Sequence, residues 1–166
     1  MFMLLIELLI FFISSYVKRS GGIASEKKYP YIGDAYSQSC YFDNHTMSEA
    51  KVRSYKMIPV KKKILPEEAV AKAVVKHGPI SAAVDASGFQ HYKGGLFYKS
   101  DCSSTYLTHA ITIVGFTPNY WIIKNSWGTK WGDEGYIYLA KDRLNHCGIA
   151  TYPCYVIAEK PTQNGP

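Results

Sequence analysis

The sequence predicts an α+β fold, one helix followed by a mainly antiparallel, barrel-like sheet. Three observations point there. Pro66-Glu67-Glu68 opens a helical pattern that Gly78-Pro79 closes. Short runs of β-branched and aromatic residues follow it. One of those runs begins at His109, and the next ends at Asn125.

The elements can be justified in chain order. Met1 to Tyr16 is almost wholly apolar, with Glu7 its one charge and Lys18-Arg19 just beyond. It is shorter than the roughly 20 residues that span a bilayer. A signal-like segment with Ser14-Ser15 near a cleavage zone, a membrane anchor, and a buried helix or stray translated stretch are the three readings. Any association with a membrane would run through these residues alone. Residues 20–50 are rich in Gly, Ser, Tyr, Asp and Asn and are predicted to be loop. Residues 51–60 read as a strand closed by Pro59.

The helix then has a start, a face and a stop. Proline suits its first position, and Glu67 and Glu68 favour the positive end of the helix dipole. Ala69 with Ala73, and Val70 with Val74, repeat at four residues and give one apolar face. Lys76 and His77 end it, Gly78 can cap it, and Pro79 cannot continue it. Strands are predicted at 80–85, 109–116, 120–124, 135–140 and 152–157. The run Ala110-Ile111-Thr112-Ile113-Val114 has the β-branched character of a core strand. Thr117-Pro118-Asn119 suits a tight connection to the next.

Composition narrows the class. The chain has 166 residues, 47% apolar and 19% charged, which suits one folded domain rather than a disordered chain. The domain is predicted over 17–160, between the apolar segment 1–16 and a tail at 161–166. The formal charge is +6, but its basic residues are scattered and the one compact run is Lys61 to Lys63. A nucleic-acid site needs a continuous basic face with stacking aromatics, so that class is excluded. Gly21-Gly22 lacks the pattern of a phosphate loop. No metal and no cofactor is expected. Cys40, Cys102, Cys147 and Cys154 are widely spaced, as structural disulfides in an oxidising compartment are. Asn44-His45-Thr46 is a glycosylation sequon in a polar stretch, which agrees.

The residues that suggest chemistry are His109 and Asn125. A hairpin between their strands brings them to one end of the sheet. An amide oxygen that accepts from one imidazole N–H fixes the tautomer and turns the other nitrogen towards a nucleophile. Ser126-Trp127-Gly128-Thr129-Lys130-Trp131-Gly132 follows, and an indole over that hydrogen bond would keep water from competing for it. His45, His77, His91 and His146 have no such context and read as surface or capping residues.

The stretches YVKRSGGIASEKKYPYIG, AVVKHGPISAAVD, YKGGLFYKSDC, THAITIVGF and YWIIKNSWGTKWGDEGYIYLAKDRLNHCGIA resemble the papain family of cysteine proteases, nearest its cathepsin L branch. The resemblance runs over about residues 16–152. It implies the β-barrel-like half of a papain-like fold with short helical elements, most of the helical half being absent. It implies His109 as base and acid, Asn125 as its orienter and Trp127 as the shield. It places Leu107, Ala83 and Tyr152 at the pocket for a substrate side chain, where a small Ala beside Leu favours a bulky apolar residue. It pairs Cys102 with Cys147 and leaves Cys40 and Cys154 as thiols unless they join each other. Peptide or protein substrates, cystatin-type inhibitors and a secreted or lysosomal setting are implied too.

The resemblance also exposes a gap. The family's nucleophilic cysteine lies about 130 residues or more before its histidine, which from His109 falls ahead of Met1. No CGSCW-like segment is present, nor the glutamine that shares the oxyanion hole. Cys40, in Gln38-Ser39-Cys40-Tyr41, matches a later stretch whose cysteine is structural. The chain therefore reads as a cysteine peptidase by lineage that is inactive as given. The alternative is a non-catalytic secreted module that binds peptides or proteins.

Overall fold

Residues 66–77 form a helix for the reasons their sequence gives, and the helix matters because its inner face closes the core. A computed structural model describes residues 12–30, 39–59 and 66–159. Their elements are α1 (12–19), β1 (Val52–Met57), α2 (Pro66–His77), β2 (Ile80–Val84), β3 (Leu96–Phe97), β4 (His109–Phe116), β5 (Tyr120–Lys124), β6 (Tyr136–Ala140) and β7 (Cys154–Ala158). Short 3-10 turns lie at Phe89–His91 and His146–Gly148.

The strands form one mixed seven-stranded sheet in the order β1-β7-β2-β4-β5-β6-β3. The β2–β4, β4–β5 and β5–β6 pairs are antiparallel, and β3 joins β6 in parallel. The chain divides into two units at residues 55/56 and 155/156. The first holds α2 and β2 to β6, the second holds α1 and the segment up to β1, and β1 and β7 each contribute to both.

In the first unit the alternation of β-strand side chains builds the core. Ile80 stands opposite Ile113, Ile113 opposite Ile123, and Ile123 opposite Ile137. All four are fully buried, as are Val70 on α2 and Trp121 on β5. Burial of each such side chain is worth about 1.5–3 kcal/mol, so this row across four strands fixes the register of the hairpin that carries the site. The register slips once, between Ile113 and Gly115.

Glu67 departs from its expected role. It is 4% exposed, where the sequence suggested only a favourable charge at the helix start. Its Oε2 accepts from Trp121 Nε1–H at 3.0 Å and from Asp142 N–H at 2.7 Å, and its Oε1 accepts from Asn145 N–H at 2.9 Å. Those amides belong to a loop in which Asp142, Leu144, Asn145 and Cys147 all have positive φ, between 51° and 59°. Left-handed backbone at a non-glycine costs about 1 kcal/mol or more per residue, so the loop needs what holds it. Glu68, by contrast, is exposed and pairs with Lys72 at 2.6 Å.

Two predicted strand starts move. β6 begins at Tyr136 because Gly135 has φ +92°, which ends extended backbone. β7 begins at Cys154 because Pro153, which has no N–H, instead offers its carbonyl to Ile58 N–H at 2.9 Å. The strand expected over 51–60 is Val52–Met57, and residue 60 lies outside the described residues. So do Lys61 to Lys63, the tail 161–166 and Met1 to Phe11. Of the apolar segment only 12–16 is described, as the start of α1, which continues through Arg19. Among the described residues no helix is long and apolar enough to cross a membrane.

Candidate active site

β4 starts where it does because the end of β2 grips it. Thr108 N–H donates to Val84 O at 2.9 Å, and Thr108 Oγ1 accepts from Ala86 N–H at 3.1 Å. Val84 then stands opposite His109, the first residue of β4. Asp85 ties the same corner to the disulfide loop. Its Oδ2 accepts from Ser103 N–H at 2.8 Å, its Oδ1 from Ser87 N–H at 2.9 Å, and its own N–H donates to Cys147 O at 2.9 Å. The disulfide joins Cys102 and Cys147, 45 residues apart. Sequence reading missed Thr108 and Asp85 as positioning residues. The one local signal is an Asp two residues before the N–H it caps, the pattern of an Asx turn.

β5 delivers Asn125 to the same end of the sheet, where its N–H donates to Gly135 O at 3.0 Å. Asn125 Oδ1 lies 2.8 Å from His109 Nε2 and also accepts from Ser126 N–H at 2.8 Å. The second contact decides the first. An amide turned the other way would point Nδ2 at the Ser126 donor, so the oxygen faces both, and His109 Nε2 carries the proton. In the neutral ring it is then Nδ1 that carries the lone pair. Asn125 is 9% exposed, and its Nδ2 is buried with no hydrogen-bond partner among the described residues.

Trp127 lies against the imidazole, ring centroids 4.9 Å apart at 37°, and is itself 41% exposed. Trp131 meets it edge-on at 5.1 Å and is anchored by Nε1–H donating to Phe89 O at 3.1 Å. The turn that follows Trp131 has no room for a side chain at Gly132, where φ is +60° and a Cβ would come 2.5 Å from Tyr136 O. The structure thus brings His109, Asn125 and Trp127 together.

The residues expected at a pocket sit differently. Ala83 pairs with Ala110 beside His109 and is fully buried. Leu107 is 3% exposed and packs where a Cβ on Gly148 would come 2.3 Å from its Cδ2. Tyr152 is half-buried in the turn before β7. Neither Ala83 nor Leu107 offers an open wall. Cys154 is buried and free, and burial pushes its thiol up. Cys40 is exposed and free in the second unit, as is the exposed Asn44. Among the described residues no group of three or more His, Cys, Asp or Glu could hold a metal ion.

His146 corrects its reading as a surface residue. It is 6% exposed, stacks on Tyr98 at 4.8 Å, and its Nε2 accepts from Lys99 N–H at 3.3 Å. Burial holds its pKa below the ordinary value, against the pull of the Glu67 carboxylate. Burial raises the Asp85 carboxyl, but the N–H groups of Ser103 and Ser87 outweigh it and hold the pKa low. Both shifts make the fold acid-sensitive. The unfolded chain takes up a proton at His146 first, so its contribution is complete above about pH 6.5 and is lost as pH falls through the folded value. Asp85 contributes above about pH 3.9 and is lost below that, at its own lowered pKa. Urea midpoints measured from pH 7.5 to 5 are expected to fall, and His146→Gln is expected to flatten that slope. A midpoint constant over this range would overturn the assignment.

The profile of the family described as "Papain family cysteine protease" matches residues 12–157. The chain is 46% identical to Testin-2 of Mus musculus over 152 residues, covering 86% of this chain and 43% of that protein. It is 42% identical to Cathepsin L2 of Homo sapiens over 150 residues, covering 84% and 43%. Among solved structures, digestive procathepsin L 3 of the Tenebrio molitor larval midgut superposes with a TM-score of 0.74 at 37% identity, covering 86% of this chain and 46% of that one. The chain therefore spans less than half the length of these relatives. With the family pattern running through both strands of the His109–Asn125 hairpin, the chain belongs to the papain family of cysteine proteases.

Proposed function

We propose that this chain carries the imidazole side of a Cys-His-Asn peptidase site and that, by itself, it does not hydrolyse peptides. One observation carries the first half: Asn125 Oδ1, held by Ser126 N–H, sets the proton on His109 Nε2 and leaves Nδ1 as base. Beside a thiol, Nδ1 takes its proton. The thiolate attacks the peptide carbonyl, and the imidazolium returns the proton to the leaving amine. Trp127 shields the polar pair, and Leu107, Ala83 and Tyr152 form the floor, rather than the rim, of the pocket for a bulky apolar residue. Peptides or proteins are the substrate class that family membership supports, and inhibitors of cystatin type are the partner class. The Cys102–Cys147 bond supports a secreted or endolysosomal setting.

The second half rests on the four cysteines. Cys102 and Cys147 are bonded to each other. Cys154 pairs with Ser81, which pairs with Thr112, three residues along β4 from His109. At about 3.3 Å per residue that offset alone is about 10 Å. Cys40 lacks the sequence around a nucleophile. A fluorogenic peptide with a bulky apolar residue, incubated with the purified chain, is expected to show no turnover that a thiol-reactive epoxide suppresses. Epoxide-sensitive turnover sinks the claim of inactivity. The geometric claim is read separately by nitrogen NMR, which is expected to find the His109 proton on Nε2; a proton on Nδ1 sinks it.

A further inference from the structure

Asn44-His45-Thr46 takes no part in the site above, yet the structure gives it a definite setting. Residues 44–47 form a turn in the second unit, and Asn44, His45 and Thr46 are all exposed. Asp43 closes that turn with three contacts. Its Oδ1 accepts from His45 N–H at 3.0 Å, its Oδ2 from the Thr46 hydroxyl at 2.8 Å, and its carbonyl from Met47 N–H at 2.9 Å. Asn44 is left with a side-chain amide that no described residue hydrogen-bonds. Its Nδ2 leans over Gly21, where a Cβ would come within 2.8 Å. Glycine at 21, with φ +83°, leaves room for the Asn44 side chain itself to lie there.

We infer that Asn44 Nδ2 is the acceptor for one N-linked oligosaccharide. The inference rests on the proposed passage through a secretory compartment. The co-reactant is an oligosaccharide held on a lipid pyrophosphate. In the transfer a bond forms between Nδ2 and C1 of the first sugar, and the bond from C1 to the pyrophosphate oxygen breaks. The lipid pyrophosphate leaves with the electron pair, and the amide nitrogen gives up one proton to solvent. The sequon needs its Thr hydroxyl, and in the closed turn that hydroxyl is committed to Asp43. Transfer therefore belongs to the nascent chain, before the turn closes. Afterwards the glycan sits on an exposed turn, the surface setting such a bulky, solubilising group takes. Asn44 opens the chain's one Asn-x-Ser/Thr match, so a single glycan is the full complement.

The test is expression of the full chain behind a heterologous secretion leader in a eukaryotic cell. The leader supplies the routing, so the result does not depend on where the natural chain goes or on catalysis. Secreted and cell-retained chains are both analysed. Most of the chain is expected as a single slower-migrating form that peptide-N-glycosidase converts to the faster one. Peptide mass spectrometry after release in heavy-oxygen water is expected to find labelled Asp at position 44. Thr46→Ala is expected to abolish the slower form, and Thr46→Ser to keep it. Unmodified Asn44 in chains that have entered the lumen, or a slower form that survives Thr46→Ala, overturns the inference.

Discussion

Glu67→Ala is expected to cost about 4 kcal/mol of stability. The substitution strips the acceptor from three donors at once, the Trp121 indole N–H and the amides of Asp142 and Asn145. A buried donor left unsatisfied costs about 1–3 kcal/mol, and three that share one partner do not add fully. The loop from 142 to 147 also loses the anchor that offsets its left-handed residues. Against a typical total of about 5–15 kcal/mol the loss is severe, and for a chain this long it corresponds to roughly 10 °C in Tm. Glu67→Gln keeps one oxygen but turns an NH2 group towards donors, so its cost should fall between wild type and Ala. Urea denaturation with intact m-values measures both. An Ala variant within 1 kcal/mol of wild type would show that water replaces the carboxylate without penalty.

Removing the Cys102–Cys147 bond is expected to have a similar effect by a different route. Closing a loop of 45 residues restricts the unfolded chain by about 4 kcal/mol in the chain-entropy account. The paired substitution Cys102→Ser with Cys147→Ser tests this with no unpaired thiol left behind. The loss should also reach the hairpin, because Asp85 binds Ser103 and the Cys147 carbonyl, and the next residue holds Thr108. Amide exchange at Ser103 and Thr108 should quicken more than at Ile113, which is fully buried in mid-sheet. Equal quickening at all three would mean that the bond stabilises the unit as a whole and does not brace the corner.

Much of the hairpin was legible because local and tertiary signals agree there. Ile111 and Ile113 alternate with the less buried Ala110, Thr112 and Val114, so β4 announces both its period and its buried face. The spacing of His109 and Asn125 across a short turn then implied their meeting, and the structure puts their polar atoms 2.8 Å apart. The burial of Glu67 and the misreading of His146 as a surface residue have one cause. Each residue looks like an ordinary charged or polar one in its own segment, and only partners brought in by the fold, 54 and 47 residues away, show that it is buried. The four left-handed residues between 142 and 147 carry no glycine signal either, because long-range contacts hold them there. Ala83 and Leu107 were read by matched position, which says where a residue lies and not how much of it solvent sees.

The contact between Ser126 N–H and Asn125 Oδ1 means that the imidazole's polarity is written in the main chain. Nineteen of the twenty amino acids at position 126 would preserve it, whatever their side chains. Proline alone, which has no hydrogen there to give, would free the carboxamide to turn over and reverse which edge of the ring acts as base.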